Sequence, residues 1–322
     1  MNPNVNKPIL LANPRGFCAG VDRAIEIVNL ALKLFQEPIY VHHEVVHNKT
    51  VVDELKQKGV IFVQNIADVP EKSYLVFSAH GVSLKVREQA KLKQLTIFDA
   101  TCPLVTKVHL QVAKFAKNNY EVILIGHAGH PEVDGTLGQY DNNQGGKIHL
   151  VENIKDAQNI EVSQSDNLAF VTQTTLSIND TEEIIQVLSH RFPNIKKPHK
   201  EDICYATQNR QNGIRKLSQS CDLILVVGSP NSSNSNRLTE LAGQLGTKSY
   251  LIDSCLEIKP QWLEKANIIG IASGASAPEK LVLEVINYLE NNYKMKCQVS
   301  TVREDENVKF PIPKSLMAIN QA

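Results

Sequence analysis

Short apolar runs that end in polar loops alternate with longer segments of helical periodicity along the whole chain. The run "EVILI" leads into "GHAGHPEVDG", and the run "LILVV" leads into "GSPNSSNSN". Apolar runs of this kind are typical of buried strands, and the segments between them have the length and spacing of helices. The alternation predicts an α/β fold with mainly parallel sheets that are covered by helices.

The same order of elements occurs three times, and each copy begins with a cysteine directly before a helical segment. These cysteines are Cys18, Cys102 and Cys204. From Cys102 the chain runs 28 residues to one polar loop position and 72 residues to another, and both intervals recur after Cys204. In the first copy the corresponding intervals are 29 and 62 residues. The spacing between successive repeated cysteines is too long for a solenoid unit and suits a small α/β domain used three times.

The repeat predicts three similar small α/β lobes around a pseudo-threefold central cleft. Their expected limits are 9–101, 102–200 and 201–290, followed by a C-terminal tail at 291–322. In parallel sheets, ligand groups gather at the carboxyl ends of the strands. The three cysteines and the polar loops lie at helix starts or strand ends, so we expect them to face one cleft.

Composition and charge narrow the range of functions. The 322 residues include 34 Lys plus Arg and 34 Asp plus Glu, which gives a formal net charge of zero. No basic surplus points to nucleic acid or to an anionic membrane surface. The apolar runs are too short to span a bilayer, and the N-terminus lacks the pattern of a signal peptide. We therefore expect a cytoplasmic protein whose thiols stay reduced.

The three repeated cysteines are candidate metal ligands. The partial positive charge of a helix N-terminus favours thiolate, which is the form that binds soft metals. Three thiolates at one centre would leave one coordination position without a protein ligand. In a [4Fe–4S] cluster held by three cysteines, the fourth iron would be available as a Lewis acid.

Two other interpretations of these cysteines stay open on spacing alone. A zinc site is one, although structural zinc normally has four ligands in close pairs and these three are far apart. Burial in the core is the other, since it is the commonest role of a reduced cysteine. We assign this core role to the three cysteines without counterparts in the repeat, which are Cys221, Cys255 and Cys297.

The segment "HEVVH" at 43–47 fits the H-E-x-x-H pattern of zinc proteases. That pattern binds zinc only on a helix, where positions i and i+4 share one face. Here it follows "PIYVH" and contains two consecutive valines, which indicates the end of a strand. A zinc-protease function is therefore not expected.

The polar loops offer mostly neutral donors beside small residues. Helix N-termini, hydroxyls, amides and imidazoles can hold phosphate without many Lys or Arg. The candidate substrate-binding residues are His47, His80, His130, Thr174, Ser232, Ser233, Asn234 and Ser276. In "HPEVDG", Glu132 is a candidate proton donor with Asp134 as its nearest rival, and the sequence alone does not choose between them.

Long segments of the chain resemble one enzyme family. The segments are "LANPRGFCAGVDRAI", "VHHEVVHN", "FSAHGVS", "FDATCPLVTKVH", "GHAGHPEVDGT", "TQTTLS", "DICYATQNRQ", "GSPNSSNSNRL" and "GASAPE". They closely resemble the 4-hydroxy-3-methylbut-2-enyl diphosphate reductase family, which performs the last step of the methylerythritol phosphate route to isoprenoids. The similarity runs from about residue 9 to residue 315, with no departure at a functional position.

The resemblance implies a role for each candidate residue. Cys18, Cys102 and Cys204 match the ligands of one [4Fe–4S] cluster per chain, with one iron lacking a protein ligand. The eight loop residues match the positions that bind the substrate, mainly its diphosphate. Glu132 matches the proton donor, and Thr174 is expected to relay its proton. The expected products are isopentenyl diphosphate and dimethylallyl diphosphate.

The expected partners are the allylic diphosphate substrate and a separate electron-donor protein. The chain has neither a G-x-G-x-x-G fingerprint after a strand nor a Walker A segment. Electrons are therefore expected from a ferredoxin or a flavodoxin type of protein. Two alternatives remain: a zinc-dependent hydrolase of a phosphorylated substrate, and a non-catalytic redox protein that carries a cluster.

Overall fold

The computed structural model describes residues 7–141, 146–198, 200–297, 306–314 and 316–317. The strands are β1 (Pro8–Leu11), β2 (Ile39–His42), β3 (Ile61–Val63), β4 (Tyr74–Phe77), β5 (Thr96–Asp99), β6 (Glu121–Ile125), β7 (Ile148–Val151), β8 (Leu168–Thr172), β9 (Leu223–Val227), β10 (Lys248–Ile252), β11 (Ile269–Ser273) and β12 (Lys296–Cys297). The helices are α1 (Ala19–Leu34), α2 (Lys49–Gln57), α3 (Leu84–Leu92), α4 (Pro103–Lys117), α5 (Pro131–Leu137), α6 (Ile154–Asn159), α7 (Ile178–Arg191), α8 (Tyr205–Ser218), α9 (Ser233–Gln244), α10 (Pro260–Glu264) and α11 (Glu279–Tyr293).

The strands form three parallel sheets, which confirms the predicted α/β fold. The strand orders are β3-β2-β4-β5, β7-β6-β8 and β10-β9-β11-β1-β12. All strand pairings described within these sheets are parallel. In each sheet, the first strand after a repeated cysteine lies between the next two strands of the same repeat. The repeat in the sequence is therefore a repeat of topology.

Strand β9 illustrates why the apolar runs are continuous rather than alternating. Leu223, Leu225 and Val227 pack into one apolar cluster with α11. Ile224 and Val226, which point to the other face, pack into a second cluster with α8 and α9. A parallel sheet covered by helices on both faces buries every side chain of its central strands.

The first strand belongs to a different sheet from the one its sequence position suggests. The prediction grouped 9–101 in one lobe, but β1 pairs with β11, with Ile9 beside Ile269. In turn β12, from the expected tail, pairs with β1. An apolar run indicates a strand but not its neighbour, because pairing depends on long-range packing. That the four predicted ranges are the limits of independent domains stays a prediction. Within the tail, residues 298–305, 315 and 318–322 lie outside the described residues.

Each repeated cysteine follows a segment of chain that pairs with a strand of one sheet. Cys18 follows β1, which adds to β11, and Cys102 follows β5, which adds to β4. Before Cys204, Lys196 forms a parallel bridge to Ala169 on β8. In all three cases the chain leaves a sheet, passes through the cysteine and enters a long helix. The strand thus fixes the start of the segment that carries each thiol.

The chain divides into two compact units, which are described separately below. The first unit comprises the described parts of Met1–Ala19, His47–Val51 and Tyr205–Val308, and it contains the sheet built on β9. The second unit comprises the described parts of Gly20–Val46, Val52–Cys204 and Lys309–Ala322, and it contains the other two sheets.

The "HEVVH" segment is not helical. Strand β2 ends at His42, and α2 begins only at Lys49. His43 has a φ of 59°, in the left-handed region, which ends the extended conformation. The histidines at 43 and 47 therefore do not share a helix face, as the sequence predicted. Among the described residues, no helix is both long and apolar enough to cross a membrane.

Candidate functional site

The repeated cysteines all lie directly before long helices. Cys102 caps α4, and Pro103 occupies the first helical position, where its missing N–H is not needed. Cys18 directly precedes α1, and Cys204 directly precedes α8. None of the six cysteines forms a disulfide. The three thiols therefore sit at the positive ends of helices, a position that favours thiolate.

Cys221 contrasts with these three cysteines. It is buried among apolar side chains, including Leu217 and Ile224. Burial raises the pKa of its thiol to about 11, and the neighbouring Asp222 carboxylate adds to the increase. A thiol that stays protonated in an apolar cluster fits the structural role expected from the sequence.

The backbone amide of each repeated cysteine is bonded to a polar strand-end loop. Cys102 donates to the Ala79 carbonyl at 2.9 Å, and Cys204 donates to the Thr174 carbonyl at 3.0 Å. In the first unit, Cys18 donates to the Ala275 carbonyl at 3.1 Å. Each acceptor lies in, or next to, a loop that carries a candidate substrate-binding residue. The fold therefore holds the backbone of each repeated cysteine against one polar loop.

In the second unit, two predicted histidines lie against each other. The rings of His80 and His130 meet edge to face, with centroids 5.7 Å apart. His130 caps α5, and its Nδ1 accepts a hydrogen bond from the Glu132 amide at 3.1 Å. His80 Nδ1 lies 3.3 Å from the Ser78 hydroxyl. These contacts connect the loop after β4 with the start of α5.

Glu132 is the buried acid of this group. Its side chain is almost fully buried, whereas Asp134 is exposed. Thr174 donates from its amide to Glu132 Oε1 at 2.6 Å and from its hydroxyl to Oε2 at 3.0 Å. Burial raises the pKa of Glu132 to about 7, although the two bonds from Thr174 oppose the increase. A carboxyl with this pKa can both hold and release a proton near neutral pH.

A partly buried ion pair that the sequence pattern does not reveal lies close to this acid. Lys107 Nζ is 3.1 Å from Asp202 Oδ1, and Asp202 Oδ2 accepts from the Thr172 amide at 3.1 Å. Burial raises the pKa of Asp202, while Lys107 opposes the increase. The Asp202 charge in turn adds to the increase in the pKa of Glu132. The only sequence signal was the position of this aspartate two residues before a repeated cysteine.

In the first unit, hydroxyl groups gather at the start of α9. Ser232 caps this helix by accepting from the Ser235 amide at 3.3 Å, and the Ser235 hydroxyl lies 3.0 Å from the Ser232 hydroxyl. The Ser276 hydroxyl is 3.4 Å from that of Ser232 and donates to the His47 carbonyl at 2.9 Å. Ser233 is the first residue of the helix. Four of the predicted binding residues are therefore neighbours.

Asn234 is a buried amide whose polar atoms are not satisfied by the described protein. Its side chain is almost fully buried, and neither Oδ1 nor Nδ2 has a hydrogen-bond partner. The nearby Gly228 and Gly274 follow β9 and β11, and a Cβ at either would clash with the Ser235 hydroxyl. The amide of Asn234 therefore has both a donor and an acceptor available to a polar ligand.

The structure thus gathers the predicted residues into two groups, one in each unit. His80, His130, Glu132 and Thr174 form a connected group in the second unit, with Cys204 bonded to it. That both groups face one cleft stays a prediction. No three His, Cys, Asp or Glu side chains in the described ranges are grouped to hold a single metal ion. A [4Fe–4S] cluster binds each thiolate through a different iron, so the absence of a single-ion site does not test the predicted cluster.

Known proteins match this chain in sequence and in fold. The family model described as "LytB protein" matches residues 9–290. The 4-hydroxy-3-methylbut-2-enyl diphosphate reductase of Psychrobacter sp. (strain PRwf-1) is 56% identical over 309 residues, 96% of each chain. The protein of the same name from Pseudomonas entomophila (strain L48) is 57% identical over 308 residues, 96% of this chain and 98% of the relative.

A solved structure agrees with these relatives. The E-1-hydroxy-2-methyl-but-2-enyl-4-diphosphate reductase from Plasmodium falciparum superposes with a TM-score of 0.92 and 41% identity, covering 98% of both chains.

The fold and the site define a class: α/β proteins built from three parallel sheets, with thiols at helix starts and neutral donors at strand ends. The chain belongs to the LytB protein family. It is an enzyme, an oxidoreductase, as its relatives are reductases.

Proposed function

We propose that this chain reduces (E)-4-hydroxy-3-methylbut-2-enyl diphosphate to isopentenyl diphosphate and dimethylallyl diphosphate. The reaction breaks the allylic C–O bond and consumes two electrons and two protons. One proton leaves with the hydroxyl as water, and the other adds to an allylic carbon at either end. The names of relatives that are 56% and 57% identical over nearly the whole chain support this substrate.

The observation that carries the proposal is the buried carboxyl of Glu132. Its pKa of about 7 leaves a substantial fraction protonated at neutral pH. Its two hydrogen bonds to Thr174 fix the orientation of the carboxyl group. Hydroxide is a poor leaving group, so a positioned acid that protonates it lowers the barrier to C–O cleavage. In this proposal Glu132 supplies the proton and the Thr174 hydroxyl relays it.

The proposed cofactor is one [4Fe–4S] cluster held by Cys18, Cys102 and Cys204. The donor set fits it, since three reduced thiols at helix starts favour thiolate and leave one iron without a protein ligand. When bound, the cluster supplies electrons one at a time and a Lewis-acidic iron.

The proposed binding residues hold the diphosphate with neutral donors. The start of α9 offers Ser232, Ser233 and the unsatisfied amide of Asn234, beside Ser276. His80 and His130 offer imidazoles in the second unit, and His47 offers one in the first. A diphosphate remote from the reacting carbon can anchor and orient the substrate without taking part in the chemistry.

A separate reductant of the ferredoxin or flavodoxin type would deliver the two electrons. A cytoplasmic location suits the proposal, because thiols stay reduced there. The family assignment favours a reductase over a zinc-dependent hydrolase or a non-catalytic electron carrier.

The test is anaerobic purification, with iron and sulfide analysis, followed by turnover with dithionite and the allylic diphosphate. We expect iron and sulfide in equal amounts and formation of both isoprenoid diphosphates. A colourless protein that contains zinc would overturn the cluster. A protein with the cluster but without product would support the electron-carrier alternative instead.

A further inference from the structure

Each helix that follows a repeated cysteine carries a cation about one and a half turns from its start. Arg23 is five residues after Cys18, in "CAGVDR", and Lys107 is five residues after the second repeated cysteine, in "CPLVTK". Arg210 is six residues after the third, in "CYATQNR". Long helical side chains lean back toward the helix N-terminus, so these cations reach the level at which the cysteine lies.

Arg23 binds the backbone that leads to Cys102. Its Nη1 donates to the Thr101 carbonyl at 3.1 Å, and its Nη2 donates to the Asp99 carbonyl at 3.3 Å. The third donor, Nε, binds the Pro311 carbonyl at 2.7 Å. A residue on the helix of the first cysteine thus holds the carbonyls immediately before the second.

Lys107 repeats this contact for the next cysteine. Its Nζ donates to the carbonyls of Lys200 and Glu201, both at 2.8 Å, and to the Asp202 carboxylate at 3.1 Å. These acceptors lie two to four residues before Cys204. A residue on the helix of the second cysteine thus holds the segment before the third.

Arg210 completes the pattern in the first unit. Its Nη2 donates to the Gly16 carbonyl at 2.9 Å, two residues before Cys18. Its charge is paired with Glu306, from Nη1 to Oε1 at 2.9 Å, and its side chain is almost fully buried. The hydroxyl of Tyr205, at the start of the same helix, also accepts from the Ala19 amide at 3.3 Å. The helix of the third cysteine thus holds the segment before the first.

We propose that Arg23, Lys107 and Arg210 form a carbonyl clamp, in which each cation fixes the backbone segment before one repeated cysteine. Each cation joins the helix of one cysteine to the backbone before the next, in the order 18, 102, 204 and back to 18. Every contact lies inside one of the two units. The proposal deepens the proposed function and rests on it, because a cluster of fixed size needs three thiols at a fixed spacing. All three cations are positioning residues.

Charged donors make the clamp stronger than ordinary loop contacts. The carbonyls that accept these bonds lie at the end of a strand or in the segment before a helix. Hydrogen bonds from a charged donor are roughly twice as strong as those between neutral groups. The recurrence of the contact in three repeats, from cations five or six residues after the cysteines, argues against a chance surface interaction.

The test uses Lys107→Met and Arg23→Met, because the burial of Arg210 against Glu306 endangers the folding of its variants. Hydrogen exchange of the full chain is followed in peptides that contain Cys102 or Cys204, whose amides are bonded to neighbouring loops. Lys107→Met should speed exchange in the Cys204 peptide by about tenfold or more and leave exchange in the Cys102 peptide within about twofold of the parent. Arg23→Met should speed exchange in the Cys102 peptide and leave the Cys204 peptide nearly unchanged.

Matched variants separate positioning from general stability. Lys114→Met makes the same change at an exposed position of the same helix and should behave like the parent. Lys107→Arg keeps the charged donor and should restore slow exchange. Loss of cluster absorbance in air should be severalfold faster in both Met variants than in the control.

Exchange that stays unchanged in the Met variants, or rises evenly in both segments, would overturn the clamp. A parent chain that takes up no iron and sulfide would overturn the proposed function. Hydrogen exchange measured on the chain without a cluster would then still test the clamp, independently of the proposed function.

Discussion

Thr174 holds Glu132 through two hydrogen bonds, at 2.6 Å from its amide and at 3.0 Å from its hydroxyl. Both bonds stabilise the carboxylate, while burial stabilises the neutral acid, and burial prevails with a pKa of about 7. The fold therefore holds this acid partly protonated and fixed in orientation at neutral pH.

Glu132→Gln should lose most turnover, by about 100-fold or more, because the amide cannot supply the proton. Iron content and substrate affinity should stay near those of the parent, since the shape of the side chain is retained. The exposed Asp134→Asn is the matched control and should keep its activity. Near-normal turnover of Glu132→Gln would assign the proton to another acid.

Turnover should fall as pH rises through about 7, because Glu132 then loses the proton that it donates.

The free energy of unfolding should also depend on the protonation of Glu132. The folded-state pKa lies above the ordinary value of 4.5, so its stabilising contribution is complete below about 4.5 and is lost as pH rises through about 7. Thermal unfolding midpoints from pH 5 to 8 should therefore decline more in the parent than in Glu132→Gln. Parallel curves would contradict the raised pKa.

Thr174→Val should shift the alkaline limb of the pH–rate profile to higher pH. The Thr174 hydroxyl bond lowers the pKa of Glu132, so its removal leaves burial less opposed. The maximal rate should fall about tenfold with the loss of the relay. Thr174→Ser retains a hydroxyl and should resemble the parent. A lower rate with no shift of the limb would limit this threonine to substrate contact.

Cys102→Ser should reduce the iron and sulfide bound after anaerobic reconstitution, since an alcohol binds iron far less well than a thiolate. Cys255→Ser is the control, because this cysteine has no counterpart in the repeat and lies in the short turn Cys255–Glu257. Its iron content should equal that of the parent. Equal iron content in both variants would remove Cys102 from the ligand set.

Asn234→Leu should weaken the binding of inorganic pyrophosphate, measured by calorimetry, and raise the KM for substrate by about tenfold or more. Its thermal midpoint should stay level or rise, because the substitution removes a buried amide that the described protein does not satisfy. Gln244→Leu, at an exposed position of the same helix, should leave binding unchanged. A lower midpoint with unchanged binding would make Asn234 a structural residue.

The sequence by itself determined the threefold repeat, the helix after each repeated cysteine and the polar loops at the strand ends. These features depend on local periodicity and spacing, which the order of residues states directly. The recurring intervals from cysteine to polar loop were clear enough to single out Cys18, Cys102 and Cys204 from the other cysteines. The position of a cation after each of them was equally visible, but its partner was not.

Only the tertiary structure decided which distant groups meet. It paired β1 with β11, buried Glu132 while leaving Asp134 exposed, and directed Arg23 to the backbone before Cys102. Strand partners, burial and the raised pKa of a carboxyl depend on residues far apart in the chain. Their energies arise from packing and desolvation, which no local pattern specifies.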